Sequence, residues 1–168
     1  KEFLVDEDKQ NPYLERAEEK AVKAVQTHGM SIKGKEKNSL IDEAYMLLGR
    51  ARYYSGRFIP ALEAFNYVLF KYPSSNNINT AKVWKAKTNF RLENESTAVE
   101  NLNLLLQDEE LLIKDQIEAL STLAQIYINK NDLDLAILSL QSAINIIKDK
   151  DLKGRLFFIV GQLYSLKN

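Results

Sequence analysis

Few side chains in this sequence have the types and spacing that catalysis or metal binding requires. The chain has a single histidine, His28, and no cysteine, so it has no thiolate metal site, disulfide or cysteine nucleophile. Acidic residues at 108–110 and at Glu93 and Glu95 fall in predicted turns, which are typical places for solvated carboxylates. Catalysis by paired carboxylates needs a pocket that raises the pKa of one of them. We therefore predict no enzyme activity, no bound metal and no cofactor.

His28 and the basic segment after it have structural interpretations. His28 precedes Gly29 at the predicted end of a helix, where a cation complements the helix dipole. The segment GMSIKGKEKNS that follows is predicted to be a mobile basic loop. Its GKEKNS portion lacks the spacing and the preceding strand of a phosphate-binding loop. The chain has 23 basic and 23 acidic residues, and this balance disfavours nucleic acid and anionic membranes as partners.

A protein-binding face is the surface chemistry that the sequence favours. Arginine, tyrosine and amide side chains are typical of such faces, and they recur on the predicted inner face of several helices. The alternative is a solvated inner face that binds nothing. The candidate protein-binding residues are Met46, Arg50, Tyr53, Tyr54, Lys87, Phe90, Arg91, Gln125, Asn129 and Gln162.

Helical periodicity dominates the elements that would position these residues. Apolar residues recur at helical spacing between short polar breaks, and no alternating strand pattern stands out. No apolar run approaches the ~18 residues of a membrane span. Asn11 with Pro12, the pair Asn38 and Ser39, and Asp132 are predicted helix starts. The predicted helices cover residues 12–28, 40–54, 58–72, 77–92, 95–107, 114–129, 132–148 and 152–166.

Small residues recur at a fixed period along these helices. In the first helix of each predicted hairpin they are 37 or 38 residues apart, at Gly49, Ala86, Ala124 and Gly161. In the second helices they follow 12 residues later, at Ala61, Ala98 and Ala136. A glycine inside a helix costs about 1 kcal/mol relative to alanine. We therefore expect the two helices to cross closely at Gly49 and Ala61, where added bulk would strain the packing by about 1–3 kcal/mol.

This pattern resembles the tetratricopeptide repeat. The best-matching unit supplies Tyr45, Leu48, Gly49, Gly56, Phe58, Ala61, Phe65 and Pro73. Arg52 stands where the family has a tyrosine. The Lys and Asn clamp that co-chaperone repeats use for a terminal carboxylate is not reproduced, because Met46 and Arg50 hold those positions. The resemblance implies an all-α, tetratricopeptide-like α-solenoid of antiparallel helix hairpins with a period of about 37 residues.

The predicted domain organisation is a flexible lead at 1–10 and one repeat domain at 11–168. The domain comprises a partial hairpin at 11–28, repeats at about 40–73, 77–107 and 114–148, and a partial repeat at 152–168. The last helix would leave Phe157, Phe158, Val160 and Leu163 uncovered, a face that the next helix of an array normally covers. The sequence begins with a lysine and shows no signal peptide. We therefore expect either that the chain is a mature or excised piece of a longer array, or that this face of the last helix forms an interface.

A closer resemblance is carried by the string NPYLERAEEKAVKAVQTHGMSIKGKEKNSLIDEAYMLLGRARYYSGRFIPALEAFNYVLFKYP, followed by AKVWKAKTNFRLEN. From about Asn11 onward the chain resembles the N-terminal repeat region of the SprE/PorW lipoproteins of Bacteroidota. The resemblance implies a non-catalytic scaffold of the type IX secretion system, involved in gliding motility. Such a scaffold links the outer-membrane translocon to the periplasmic motor apparatus.

The same resemblance implies a periplasmic location at the outer membrane. The expected partners are other proteins of a secretion or motility complex, with no nucleic acid and no small-molecule substrate. Membrane attachment would be only through a lipid anchor, whose cysteine this chain lacks. The alternative function is a generic tetratricopeptide module that binds peptides or acts as a regulatory adaptor.

Overall fold

Eight helices form most of the part of the chain that the computed structural model describes, which is residues 12–29, 31–32, 35–36, 38 and 40–167. The chain divides into two compact units, Lys1–Glu93 and Asn94–Asn168. The first unit contains α1 (Pro12–His28), β1 (Ser31–Ile32), β2 (Lys35–Glu36), α2 (Ile41–Tyr54), α3 (Phe58–Lys71) and α4 (Ile78–Arg91). The second unit contains α5 (Glu95–Leu105), α6 (Ile113–Asn129), α7 (Leu133–Ile146) and α8 (Lys150–Lys167).

The helices confirm the predicted all-α class of packed helix hairpins. The helices α2, α4, α6 and α8 begin at Ile41, Ile78, Ile113 and Lys150. In the first unit α1 packs on α2, α2 on α3 and α3 on α4, and α2 also contacts α4. In the second unit α5 packs on α6, α6 on α7 and α7 on α8. Such packing of each helix on its neighbours in sequence is typical of an all-α helical repeat.

The division into units falls inside one predicted repeat. Glu93 and Asn94 form the turn of the repeat predicted at 77–107, so α4 belongs to the first unit and α5 to the second. The pairing of α4 with α5 in one hairpin, and the grouping of 11–168 into one domain, stay predictions.

The segment after α1 contains a short β ladder, so the prediction of a loop without strands is wrong there. Residue Ser31 pairs with Glu36 and Ile32 pairs with Lys35 in antiparallel fashion. Two residues in each strand are too few to produce a recognisable alternation in the sequence. The predicted lead at 1–10, Asn11, Ser39 and the side chain of His28 lie outside the described residues.

The predicted helix starts are confirmed at two places and wrong at a third. Pro12 is the first residue of α1. The side-chain oxygen of Asp132 accepts a hydrogen bond from the backbone N–H of Leu135 at 3.1 Å and so caps α7. At α2 the cap residue is Leu40, which has no capping side chain. Asn38 instead accepts from the N–H of Leu40 at 3.0 Å, which stabilises the turn before the helix.

Gly49 makes a close contact between α2 and α3, as predicted, and the nearest side chain there is that of Phe65. A Cβ atom at Gly49 would lie 2.5–2.9 Å from three ring carbons of Phe65 in α3. The prediction placed Ala61 at this crossing. Both Ala61 and Phe65 are fully buried. The small side chain at 61 therefore lets α3 approach, and the ring one turn later fills the space beside the glycine.

Each unit has its own apolar core. In the first unit it comprises Met46, Tyr53, Ala61, Phe65, Val68, Ala81 and Trp84. In the second unit the small residues Ala124 and Ala136 belong to one buried cluster with Leu140. These three positions correspond to Gly49, Ala61 and Phe65 in the repeat register, so both units use small residues at the same point of the hairpin.

Arg52, which replaces the tyrosine of the repeat pattern, joins three helices. Its Nε donates to Oε1 of Glu18 in α1 at 3.1 Å, and its guanidinium also donates to the carbonyl of Pro60 in α3 at 3.1 Å. Glu18 makes a second ion pair with Arg57. Arg52 and Glu18 therefore attach α1 to the hairpin of α2 and α3.

The apolar residues of α8 divide between two faces. Val160 and Leu163 are buried in the core of the second unit, where α8 packs on α7. Phe157 and Phe158 are 56% and 67% exposed. The prediction that all four residues are uncovered is therefore wrong for Val160 and Leu163, because they form a separate stripe on the helix.

The Gly49 contact leads to a prediction about stability. We expect Gly49→Ala to lower the free energy of unfolding by about 1–2 kcal/mol, since the strain of overpacking exceeds the gain in helix propensity. Urea denaturation followed by circular dichroism measures the change. In a Phe65→Leu background the ring is absent, and Gly49→Ala should become neutral or stabilising. The same loss in both backgrounds would contradict the contact.

The Asp132 cap leads to a second prediction. Asp132→Ala removes the acceptor for the first-turn N–H groups of α7 and should cost about 1 kcal/mol of stability. Asn94 precedes α5 but makes no capping side-chain bond, so Asn94→Ala is the matched control and should cost less. Thermal denaturation of both variants tests this, and equal losses would contradict a specific role for the Asp132 carboxylate.

Candidate protein-binding site

Trp84 lies at the centre of an aromatic cluster in the first unit. Its ring centroid is 5.4 Å from that of Tyr53 and 5.7 Å from that of Tyr54, both in edge-on geometry, and 5.9 Å from that of Phe65 in a stacked geometry. Tyr53 also meets Phe58 edge-on at 5.5 Å. These five residues are called the Trp84 cluster here. Because α2, α3 and α4 all contribute to it, the cluster fixes the indole within the packed helices.

Three basic side chains lie against rings of the Trp84 cluster. Lys87 Nζ is 4.3 Å and Arg50 Cζ is 5.0 Å from the centroid of the Trp84 ring. Arg91 Cζ is 4.7 Å from the centroid of Phe58. Each cation is attracted to the negative face of its ring. Arg50 and Lys87 therefore share the ring of Trp84, and Arg91 lies on that of Phe58.

Arg50 extends from this cluster to a small open cavity. The cavity has a volume of about 240 Å³ and is lined by Glu43, Met46, Leu47, Arg50 and Asn77. Nε of Arg50 is buried and has no hydrogen-bond partner among the described residues. A buried donor without a partner costs about 1–3 kcal/mol. An acceptor atom that reached this Nε would therefore gain a charge-assisted hydrogen bond.

The predicted protein-binding residues differ in how far they are exposed. Met46, Tyr53 and Lys87 are buried, at 4%, 9% and 6% exposure. The partly exposed members are Arg50, Tyr54, Phe90, Arg91 and Gln125, and the exposed members are Asn129 and Gln162.

The structure brings some of these residues together within each unit. In the first unit Arg50, Tyr53, Tyr54 and Lys87 all contact Trp84 or a ring next to it. In the second unit the side-chain amide of Gln125 donates to the side-chain oxygen of Asn129 at 3.1 Å. The role of all ten residues in protein binding stays a prediction, and burial of Met46 and Tyr53 gives these two a packing role as well.

Two features of this region are absent from the sequence-based predictions. The first is Trp84. The sequence signal that could have identified it is that it is the only tryptophan of the chain. The second is a polar contact in which Asp42 accepts from the hydroxyl of Ser75 and, at 3.2 Å, from the amide of Asn77. It ties the loop before α4 to α2, and its partners are too distant in sequence to form a local motif.

Comparison of the sequence with protein-family models and with curated proteins finds no match. Among the described residues, no group of three or more His, Cys, Asp or Glu side chains could hold a metal ion. No described helix is both long enough and apolar enough to cross a membrane. The fold defines the class, an all-α helical repeat protein, and in its first unit Arg50, Tyr54 and Arg91 are partly exposed beside the largely buried Trp84 cluster.

The Trp84 cluster leads to a third prediction. Trp84→Ala should lower the free energy of unfolding by about 3–5 kcal/mol, because it empties the space between three helices. Phe70 in α3 is 85% exposed, so Phe70→Ala is the aromatic control and should change stability by no more than about 0.5 kcal/mol. Urea denaturation followed by circular dichroism compares them, and a similar effect of both changes would show that the cluster is not the core of this unit.

Proposed function

We propose that this chain is a non-catalytic protein–protein interaction scaffold of the tetratricopeptide-repeat type. The observation that supports the proposal most strongly is the pair of partly exposed arginines, Arg50 and Arg91, beside the Trp84 cluster. Arginine and aromatic residues dominate the binding energy of many protein interfaces. In a helical repeat each hairpin contacts only its neighbours, which leaves an extended surface for a partner.

The partner chemistry that fits this surface is an acidic segment of another protein. A carboxylate entering the 240 Å³ cavity would lie beside Arg50, which lines it, and Arg91 is partly exposed beside Phe58. Glu43 also lines the cavity and offsets part of the positive charge. The segment should therefore bind through a few placed carboxylates, with apolar groups against Met46 and Leu47.

A finer proposal is that the partners belong to the type IX secretion and gliding machinery of Bacteroidota. Its support is the sequence resemblance to the SprE/PorW lipoproteins from about Asn11 onward. Under this proposal the chain lies in the periplasm at the outer membrane and links the translocon to the motor apparatus, with membrane attachment through a lipid anchor. The alternative is a tetratricopeptide adaptor that binds short peptides. The cavity beside Arg50 favours this alternative.

The proposed surface leads to a fourth prediction. Arg50→Glu combined with Arg91→Glu should weaken partner capture by at least about tenfold, the effect of losing roughly 1.4 kcal/mol of binding energy. Lys87 is left unchanged because it is buried, and a carboxylate there would unfold the cluster. Lys71→Glu with Lys82→Glu changes the net charge equally at two exposed positions and is the matched control.

The measurement is affinity capture by the tagged chain from cell envelopes of a gliding bacterium, with the captured proteins identified by mass spectrometry. Capture of translocon and motor proteins by the wild-type chain and the control, but not by the Arg50/Arg91 variant, supports both levels of the proposal. Capture that excludes these proteins would contradict the secretion role. Equal capture by the variant and the control would contradict the proposed surface, provided that circular dichroism shows both variants to be folded.

A further inference from the structure

The cavity beside Arg50 is lined by two opposite charges that do not pair with each other. Glu43 and Arg50 both line it, together with Met46 and Leu47 of α2 and Asn77. Neither charged group makes a hydrogen bond or an ion pair with another described residue. The guanidinium of Arg50 lies instead on the ring of Trp84, 5.0 Å from its centroid. Both charges therefore have no counterion on the described part of the chain.

The spacing of the two charges along α2 separates them by an apolar stretch. Positions i, i+3, i+4 and i+7 share one side of a helix, and seven residues span about 10.5 Å. Glu43 and Arg50 are therefore two turns apart, with Met46 and Leu47 between them. Leu47 is 47% exposed, so its side chain is accessible to a ligand. The cavity is negative at one end, apolar in the middle and positive at the other end.

Asn77 adds an oriented hydrogen-bond acceptor to this cavity. Its side-chain amide donates to the carboxylate of Asp42 at 3.2 Å, and its backbone N–H donates to the hydroxyl of Ser75 at 2.9 Å. These bonds hold the residue in place and use its side-chain donor. The side-chain oxygen of Asn77 accepts no bond from a described residue. A backbone N–H of a bound peptide is the kind of donor that suits it.

We propose that the cavity binds an extended segment of a partner protein in which an acidic residue and a lysine or arginine stand two positions apart. The inference rests on the proposed function and defines its partner more closely. Residues i and i+2 of an extended chain point to the same side and are about 6.8 Å apart. The acidic side chain lies at Arg50 and the basic side chain at Glu43. The lengths of the four side chains bridge the remaining distance.

Glu43 is the residue that determines specificity in this arrangement. A segment with carboxylates alone would place one of them near Glu43, where like charges repel. A lysine or arginine there gains an opposite charge, and its methylene groups pack on Leu47 while its charged end stays in water. Glu43 therefore discriminates between partners by repulsion as well as attraction.

Isothermal titration calorimetry of the whole chain with blocked heptapeptides tests the inference. The probes are Gly-Ser-Asp-Ala-Lys-Ser-Gly and Gly-Ser-Lys-Ala-Asp-Ser-Gly, because a segment can run along α2 in either direction. At least one of them should bind at least about tenfold more tightly than Gly-Ser-Asp-Lys-Ala-Ser-Gly. That peptide has the same composition, but its two charges point to opposite sides of an extended chain. The same margin is expected over Gly-Ser-Asp-Ala-Gln-Ser-Gly, which lacks the cation.

Variants of Glu43 and the fluorescence of Trp84 assign the binding to this cavity. Glu43→Lys should reverse the preference, so that a peptide with glutamate in place of the lysine binds more tightly than the lysine peptide. Glu63→Lys changes the net charge equally at an exposed position of α3 and should leave each dissociation constant within about threefold. Trp84 is the only tryptophan of the chain and lies against Arg50, so its fluorescence should change as the peptide binds. Circular dichroism confirms that both variants are folded.

Equal affinity for the lysine and glutamine peptides would overturn the inference and leave the proposal of an acidic partner standing. Equal effects of Glu43→Lys and Glu63→Lys would overturn it too, as would binding that leaves the fluorescence of Trp84 unchanged. If no peptide binds while the Arg50/Arg91 variant loses partner capture, the inference alone fails. If no peptide binds and that variant captures partners normally, the proposed surface fails with it.

Discussion

The close approach of α2 and α3 at Gly49 is the constraint on which the first unit depends. A glycine there leaves room for the ring of Phe65, and a Cβ would collide with that ring. Phe65 in turn stacks on Trp84 at 5.9 Å, so the position of the indole follows from the spacing of the hairpin. A glycine in a helix costs some free energy because its helix propensity is low. This cost is small compared with the free energy gained when the fully buried ring is removed from water.

The same packing positions two basic side chains against the indole of Trp84. Trp84 is held by rings from α2 and α3, and its own faces carry Arg50 and Lys87. A buried lysine beside an arginine is electrostatically unfavourable unless rings and polar partners compensate. At the same place, the buried Nε of Arg50 has no hydrogen-bond partner among the described residues. In the proposed function, this packing holds Arg50 in place for an acidic partner.

The sequence predicts the helices and their period because both depend on local spacing. Apolar periodicity and the regular positions of Gly49, Ala61, Ala124 and Ala136 are visible without a structure. What the sequence does not predict depends on contacts between distant residues. Four features belong to this kind: the position of the Phe65 ring against Gly49, the central place of Trp84, the burial of Lys87, and the contact of Asp42 with the loop before α4.

The central claim is that the ring of Phe65 lies directly against Gly49, and proton NMR tests it most directly. The account predicts nuclear Overhauser contacts between the Hα protons of Gly49 and the ring protons of Phe65. It also predicts that the ring current displaces at least one of these Hα resonances from the usual range of glycine. Hα protons of Gly49 at ordinary shifts, with no contact to the Phe65 ring in a folded sample, would contradict the account.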